Sequence, residues 1–135
     1  MLAEGNGQPA RAVLIVEDSE TCAATLEVAF LKIPGVSVLF ASSGVDAVRL
    51  LESGGGIEAI VTDLNMPRMD GFELIRRIRA DRRFSSTPII AVSADADPAT
   101  PGRVAALGAN AFFSKPYSPT AVRKKLEQFL DGTTE

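Results

Sequence analysis

Glu17-Asp18, Asp63, Ser93 and Lys115 are the residues whose types and placement could share one piece of chemistry. Each stands at the end of an apolar run. "AVLIV" (12–16) leads into Glu17-Asp18, "IVT" (60–62) into Asp63, "TPIIAVS" (87–93) ends on Ser93, and "FFS" (112–114) leads to Lys115. Runs of this kind, β-branched throughout at Ile60-Val61-Thr62, read as buried strands. A carboxylate at the tip of a buried strand needs a reason. If the first and third strands are neighbours, three carboxylates crowd into one pocket, which is unfavourable unless a cation is present. A hard divalent ion with oxygen ligands resolves the crowding, and Mg²⁺ suits a site with few carboxylates and several waters. Taken singly, each group has a plainer role. Asp18 before Ser19 could be a helix cap, Lys115 a solvated lysine and Ser93 a loop hydroxyl. Their joint placement on four strand ends is not explained by capping.

The elements that must position these groups alternate along the chain. After the strand at 12–16, Cys22, Leu26, Ala29, Phe30 and Ile33 recur at helical spacing from Ser19 to Lys32, and Pro34-Gly35 stops that helix. "VSVLFA" (36–41) is a second strand. A helix follows over Ser43–Ser53, with Val45, Val48 and Leu51 on one side and Gly54-Gly55-Gly56 at its end. "IEAIVT" (57–62) is the third strand, and Asp70-Gly71-Phe72-Glu73 has the form of a capping box. The helix it opens turns Phe72, Ile75 and Ile78 inward and its arginines outward. The fourth strand is 87–93 and the fifth 112–114. Ser118-Pro119 starts a last helix with Val122, Leu126, Phe129 and Leu130 as its buried stripe. The helix between the fourth and fifth strands starts at either Asp97-Pro98 or Thr100-Pro101, and the second start leaves it short. Continuously apolar strands alternating with helices predict a doubly wound α/β domain, a parallel sheet with helices on both faces. In such sheets sites form at the carboxyl ends of strands, which is where the five groups lie.

Composition narrows the chemistry further. The chain has 135 residues, 46% hydrophobic and 23% charged, as expected of one globular domain, and its net charge of -3 favours neither nucleic acid nor an anionic membrane. It has no histidine, which excludes His-based triads, most transition-metal sites and a phosphohistidine on the chain itself. The single Cys22 fits a reducing cytosol and reads as a small apolar residue on the inner face of its helix. No stretch approaches the ~18 apolar residues of a membrane span, and "MLAEGNGQPARA" lacks the basic start and apolar run of a signal peptide. The five arginines in "RRIRADRR" (76–83) lack interleaved aromatics and read as a solvated helix face.

The chain resembles a response-regulator receiver domain of two-component signalling, of the single-domain, chemotaxis-regulator-like kind. The resemblance rests on Glu17-Asp18, "DLNMPRMDG" from Asp63 to Gly71, Ser93-Ala94 in "VSA", and Lys115-Pro116, and it covers about residues 11–131. It implies a flavodoxin-like five-stranded sheet in the order 2-1-3-4-5; the residues outside it are expected to form a flexible tail over 1–10 and a short tail over 132–135. By the same resemblance Asp63 is the phosphoacceptor, attacking a phosphohistidine on a sensor histidine kinase or a histidine phosphotransfer protein. Asp18, Asp63 and the backbone carbonyl of Asn65 would hold Mg²⁺, with Glu17 acting through a metal-bound water. Lys115 and Ser93 would meet the phosphoryl oxygens. Met66-Pro67 would shape the loop beneath the acceptor, and Gly71 would let the chain turn into the third helix. Ser93 and Phe112 would be the switch, and a downstream output protein would read the surface of the fourth helix, fifth strand and fifth helix. A receiver in the cytoplasm is not an enzyme beyond its own phosphorylation and dephosphorylation.

The sequence departs from the family pattern at Glu17, where aspartate is more frequent, and at Phe112, often a tyrosine. Without a hydroxyl to anchor it outward, Phe112 is expected to lie inward in part even without phosphate, with Ser93 still away from Asp63. Tyr117 reads as packing. Asp95 sits where side chains tune the access of water to the phosphoryl group. No effector domain fits beyond residue 131, so the expectation is a stand-alone regulator or a receiver detached from a hybrid kinase or larger regulator. A phosphatase-like or nucleotide-binding enzyme on the same sheet edge is disfavoured. Asp63 is followed by "LNMP" rather than a second acid two residues on, and no glycine-rich phosphate loop follows the first strand. A degenerate receiver that only binds proteins is disfavoured because all the acceptor-site groups are present.

Overall fold

The computed structural model describes residues 11–54 and 56–132; the tail expected at 1–10, Gly55 and residues 133–135 lie outside them. Five strands, β1 (Arg11–Val16), β2 (Val36–Ala41), β3 (Ile57–Asp63), β4 (Ile89–Ser93) and β5 (Ala111–Ser114), form one sheet. Its order is β2-β1-β3-β4-β5, the order expected, and every neighbouring pair is parallel. Between and after the strands run α1 (Glu20–Phe30), α2 (Gly44–Glu52), α3 (Gly71–Ala80), α4 (Thr100–Leu107) and α5 (Pro119–Leu130).

Alternation along the strands explains why helices cover both faces. Leu14 and Val16 of β1 point to the layer that holds Leu51 of α2, Leu74 and Ile78 of α3 and Val104 of α4. Val13 and Ile15 point to the opposite layer, with Leu26 and Phe30 of α1 and Val122 and Leu126 of α5. Each such side chain taken fully from water contributes about 1.5–3 kcal/mol before the entropy of ordering it. Among the described residues, no helix is long and apolar enough to cross a membrane.

Local chemistry sets the helix starts. Ser19, Ser43, Asp70 and Ser118 are N-caps whose side chains accept a backbone N–H from Cys22, Asp46, Glu73 and Ala121 respectively, each worth about 1 kcal/mol. Asp70 serves as the capping acid expected. Glu73 instead turns its carboxylate to Arg76 and Arg77, so only one arm of the capping box forms. The fourth helix takes the later of its two possible starts, at Thr100-Pro101, and is short for that reason.

Several boundaries and faces differ from the sequence reading. β3 runs one residue further than expected and includes Asp63, which pairs with Val92 of β4. β4 begins at Ile89 rather than 87, and a 3₁₀ turn over Arg82–Phe84 precedes it. Arg79 is not a solvated residue. It is half-buried and donates to the carbonyls of Gly108 and Phe84 and to Asn110 Oδ1, tying α3 to the loop before β5. Phe72 lies half-buried, with the Arg103 guanidinium 4.1 Å from its ring centre. Cys22 is half-buried near the site rather than in the core, for reasons given below.

Candidate functional site

Parallel pairing brings the strand tips to one edge, and backbone bonds fix them there. Glu17 donates its N–H to Ala41 of β2, Leu64 to Val92 of β4, and Lys115 to Ser93 of β4, at 3.0, 3.0 and 2.8 Å. The groups that follow the strands therefore stand on a rigid ledge. Glu17, Asp18 and Asp63 each offer a carboxylate oxygen within 4.8 Å of the others. Glu17 is 5% and Asp63 4% exposed, whereas Asp18 faces solvent. Asp18 is not spent as the cap of α1, because Ser19 fills that position.

Lys115 supplies the cation that makes this crowding tolerable in the protein alone. Its Nζ donates to Glu17 Oε1 at 3.1 Å and to Asp63 Oδ2 at 3.3 Å. The other oxygen of Glu17 accepts the Ser19 N–H at 3.1 Å, and Asp63 Oδ1 accepts the Asn65 N–H at 3.1 Å. Burial pushes the Glu17 pKa up, and the charge of Asp63 adds to that; the Ser19 N–H and Lys115 pull in the other direction without cancelling it. Desolvation alone would lower the Lys115 pKa, yet its two carboxylate partners outweigh it and hold the ammonium well above its ordinary range.

Ser93 and Phe112 are placed differently. Ser93 is fully buried, and its hydroxyl bonds groups other than Asp63: it donates to Asn65 Oδ1 at 2.7 Å and accepts the Asp95 N–H at 2.9 Å. Phe112 is half-buried against the layer that contains Val104 and Ala91. Met66 is buried in the loop between β3 and α3. Gly71 has backbone so close that a Cβ would lie 2.5 Å from the Asp63 carbonyl oxygen, so the approach of α3 to β3 needs a glycine.

Three contacts at the site were not anticipated from the sequence. The Asn65 side chain, and not only its backbone, takes part by receiving Ser93. Thr100 is fully buried and donates to Asp95 Oδ2 at 3.0 Å, where the sequence marked it only as a helix start. Cys22 Sγ lies 4.0 Å from Lys115 Nζ. The helical stripe placed Cys22 toward the core, but it sits in the first turn of α1, where the helix meets the strand tips. These contacts link residues 28, 5 and 93 positions apart, and no local pattern signals them.

A sequence model of the response regulator receiver domain matches residues 13–127. The chain is 32% identical over 123 residues to the chemotaxis protein CheY1 of Helicobacter pylori, covering 91% of this chain and 98% of that one. It is 32% identical to the chemotaxis protein CheY homolog of Campylobacter jejuni, over 87% of this chain and 91% of the other. The chemotaxis response regulator CheY4 of Vibrio cholerae superposes with a TM-score of 0.79 at 28% identity, over 89% of this chain and 98% of its own. The signal receiver domain of a signal transduction histidine kinase from Syntrophus aciditrophicus gives 0.81 at 31% identity, over 93% and 94%.

Proposed function

Because the chain belongs to the response regulator receiver family of two-component signalling, we propose that Asp63 is its phosphoacceptor. The observation that carries this reading is the Asp63 carboxylate itself. It is held at the tip of β3, nearly closed to water, among Glu17, Asp18 and the Lys115 ammonium. The donor is a phosphohistidine on a sensor histidine kinase or a histidine phosphotransfer protein. An Asp63 oxygen forms the new bond to phosphorus as the P–N bond of the donor breaks, and the leaving imidazole nitrogen takes up a proton. Phosphoryl transfer of this kind is largely positioning and neutralisation of the charge on the three equatorial oxygens. Lys115 already stands within reach of Asp63, and Ser93 would donate to one of those oxygens once it releases Asn65.

Three clustered carboxylates with no softer ligand fit a hard divalent cation such as Mg²⁺. Asp18 and Asp63 would hold it, with the backbone carbonyl of Asn65, and Glu17 would act through a water. Lys115 and a backbone N–H hold the oxygens of both Glu17 and Asp63 in place at the edge of that site. The ion would supply positive charge opposite Lys115. The remaining chemistry of the chain is its own phosphorylation from small donors and its own dephosphorylation. The signal leaves by the surface of α4, β5 and α5 to an output protein.

Incubation with Mg²⁺ and a small phosphoryl donor, followed by intact mass measurement, tests the reading. One added phosphoryl group is expected on the wild type and none on Asp63→Asn. An adduct that survives in Asp63→Asn, or steady turnover of a substrate, would overturn it.

A further inference from the structure

The loop after β4 contains a short chain of hydrogen bonds that begins at Ser93 and ends inside α4. Ser93 has one proton, and it is given to Asn65 Oδ1; its oxygen is held in turn by the Asp95 N–H. The Asp95 carboxylate has two further guests. Oδ1 accepts the Asp97 N–H at 2.8 Å and Oδ2 accepts the Thr100 hydroxyl at 3.0 Å. Thr100 is the first residue of α4 and is fully buried. Ala99, the N-cap residue, offers no side-chain bond, and Asp97 accepts both the Ala99 N–H through Oδ1 and the Thr100 N–H through its carbonyl. The start of α4 is thus held by Asp95 and Asp97 from the loop.

We propose that Asp95 is the positioning residue that sets where the Ser93 hydroxyl sits and ties that position to the start of α4 through Thr100. The proposal rests on the reading of Asp63 as phosphoacceptor and adds a route by which its modification reaches α4 without passing through Phe112. The backbone of Ser93 cannot move far, since it pairs with Ser114 and accepts the Lys115 N–H at 2.8 Å. To donate to a phosphoryl group on Asp63, its hydroxyl must instead rotate, leaving Asn65 and drawing its oxygen from the Asp95 N–H. The loop either loses that bond or follows the oxygen. Following moves the Asp95 carboxylate, and Thr100 goes with it, because a buried hydroxyl stripped of its acceptor is costly. Loop and helix start move together.

Nuclear magnetic resonance of the full chain, titrated with Mg²⁺ and beryllofluoride as a tetrahedral phosphoryl mimic, tests this. In the wild type the amide signals of Ser93, of Thr100 and of Gly102 to Leu107 are expected to shift together. In Thr100→Val, of similar shape, the Ser93 shift should persist and the α4 shift should vanish. The mimic should then bind about 2- to 10-fold tighter, since displacement of α4 no longer opposes it. Asp95→Ala should behave alike, and Asp95→Asn, whose one amide oxygen can serve the Thr100 hydroxyl or the Asp97 N–H but not both, should give a response no larger than the wild type's. A purely structural role would not give tighter binding with a lost response. If Thr100→Val does not fold, the two substitutions at the partly exposed Asp95 decide the matter. An undiminished α4 response in Asp95→Ala, or a response in Asp95→Asn larger than the wild type's, overturns the proposal alone. A wild type that takes neither the mimic nor a phosphoryl group overturns the phosphoacceptor reading and this proposal with it.

Discussion

The Lys115 ammonium lies between two carboxylates that have almost no access to water, with Glu17 and Asp63 side chains 2% and 6% exposed. Lys115→Met leaves both without a counterion. The loss should be about 2 kcal/mol near neutral pH, less than the ~3–5 kcal/mol of a fully buried pair because Lys115 itself keeps some contact with solvent. Burial raises the Glu17 pKa in the wild type, and removing Lys115 raises it further. The gap between the two proteins is therefore full when Glu17 is ionised in both. The part of it that belongs to Glu17 closes as pH falls, over a range above the ordinary carboxylate value of 4.5. Urea unfolding of both proteins across that range measures it; a gap that is constant with pH would show that Lys115 acts by packing alone. Tyr117 gives a second test. Burial pushes its phenol up to about 12 from 10.0, and the chain has no other tyrosine and no tryptophan. An ultraviolet titration of the folded protein should therefore show one phenol ionising near 12, and a midpoint near 10 would mean that the ring is solvated. A phenol held neutral by the fold costs stability as pH rises from 10 toward 12, and Lys115 adds to that decline by losing its proton in the same direction.

At the scale of elements, α3 is seated on β3 by the absence of a side chain at Gly71. A Cβ there would also fall 2.6 Å from Leu64 Cα, which is backbone and cannot swing aside. Gly71→Ala should cost about 1–3 kcal/mol by overpacking, and because the strained atoms include the Asp63 carbonyl, it should also slow phosphorylation. A variant with unchanged urea midpoint would show that the loop after Asp63 yields freely. The elements themselves were legible in the sequence wherever one signal dominated. Apolar runs marked the strands, and Ser19, Ser43, Asp70 and Ser118 marked helix starts by their own capping chemistry. The fourth helix was ambiguous because its capping acid is displaced: Ala99 at the N-cap has no capping atom, and Asp97, two residues earlier, accepts its N–H instead. The five arginines read as one solvated face, yet Arg79 leaves that face for carbonyls 29 and 5 residues away. The side-chain contacts of Asn65 with Ser93 and of Asp95 with Thr100 were illegible for a like reason. The first joins groups that meet only after β3 and β4 have paired, and the second depends on the fold of the loop between β4 and α4, which no propensity signals.

For the molecule as a whole, any ion that binds only the folded chain must stabilise it by mass action, by about 2.7 kcal/mol at a concentration one hundred times its dissociation constant. Mg²⁺ should therefore raise the melting temperature of the wild type. Asp18→Ala should lose that gain and, without the ion, melt at the same temperature or slightly higher, because one of three crowded carboxylates is gone. Equal stabilisation of both proteins would place the ion elsewhere. The doubly wound layout was legible because continuously apolar strands alternate with helices, and the structure shows why both go together: successive side chains of β1 feed the two layers in turn. Lys115 meets Glu17 across 98 positions and Asp63 across 52. A ribosome working at about 5–20 residues per second releases the two acids several seconds before their cation. Through that interval the growing chain carries a half-built sheet edge with repelling charges at its tips. The final strand brings the counterion and the last hydrogen bonds in the same docking event. Assembly of the carboxylate–lysine cluster is thereby a late step in the life of each molecule, and a chain cut short before β5 would lack the cation that holds its acids together.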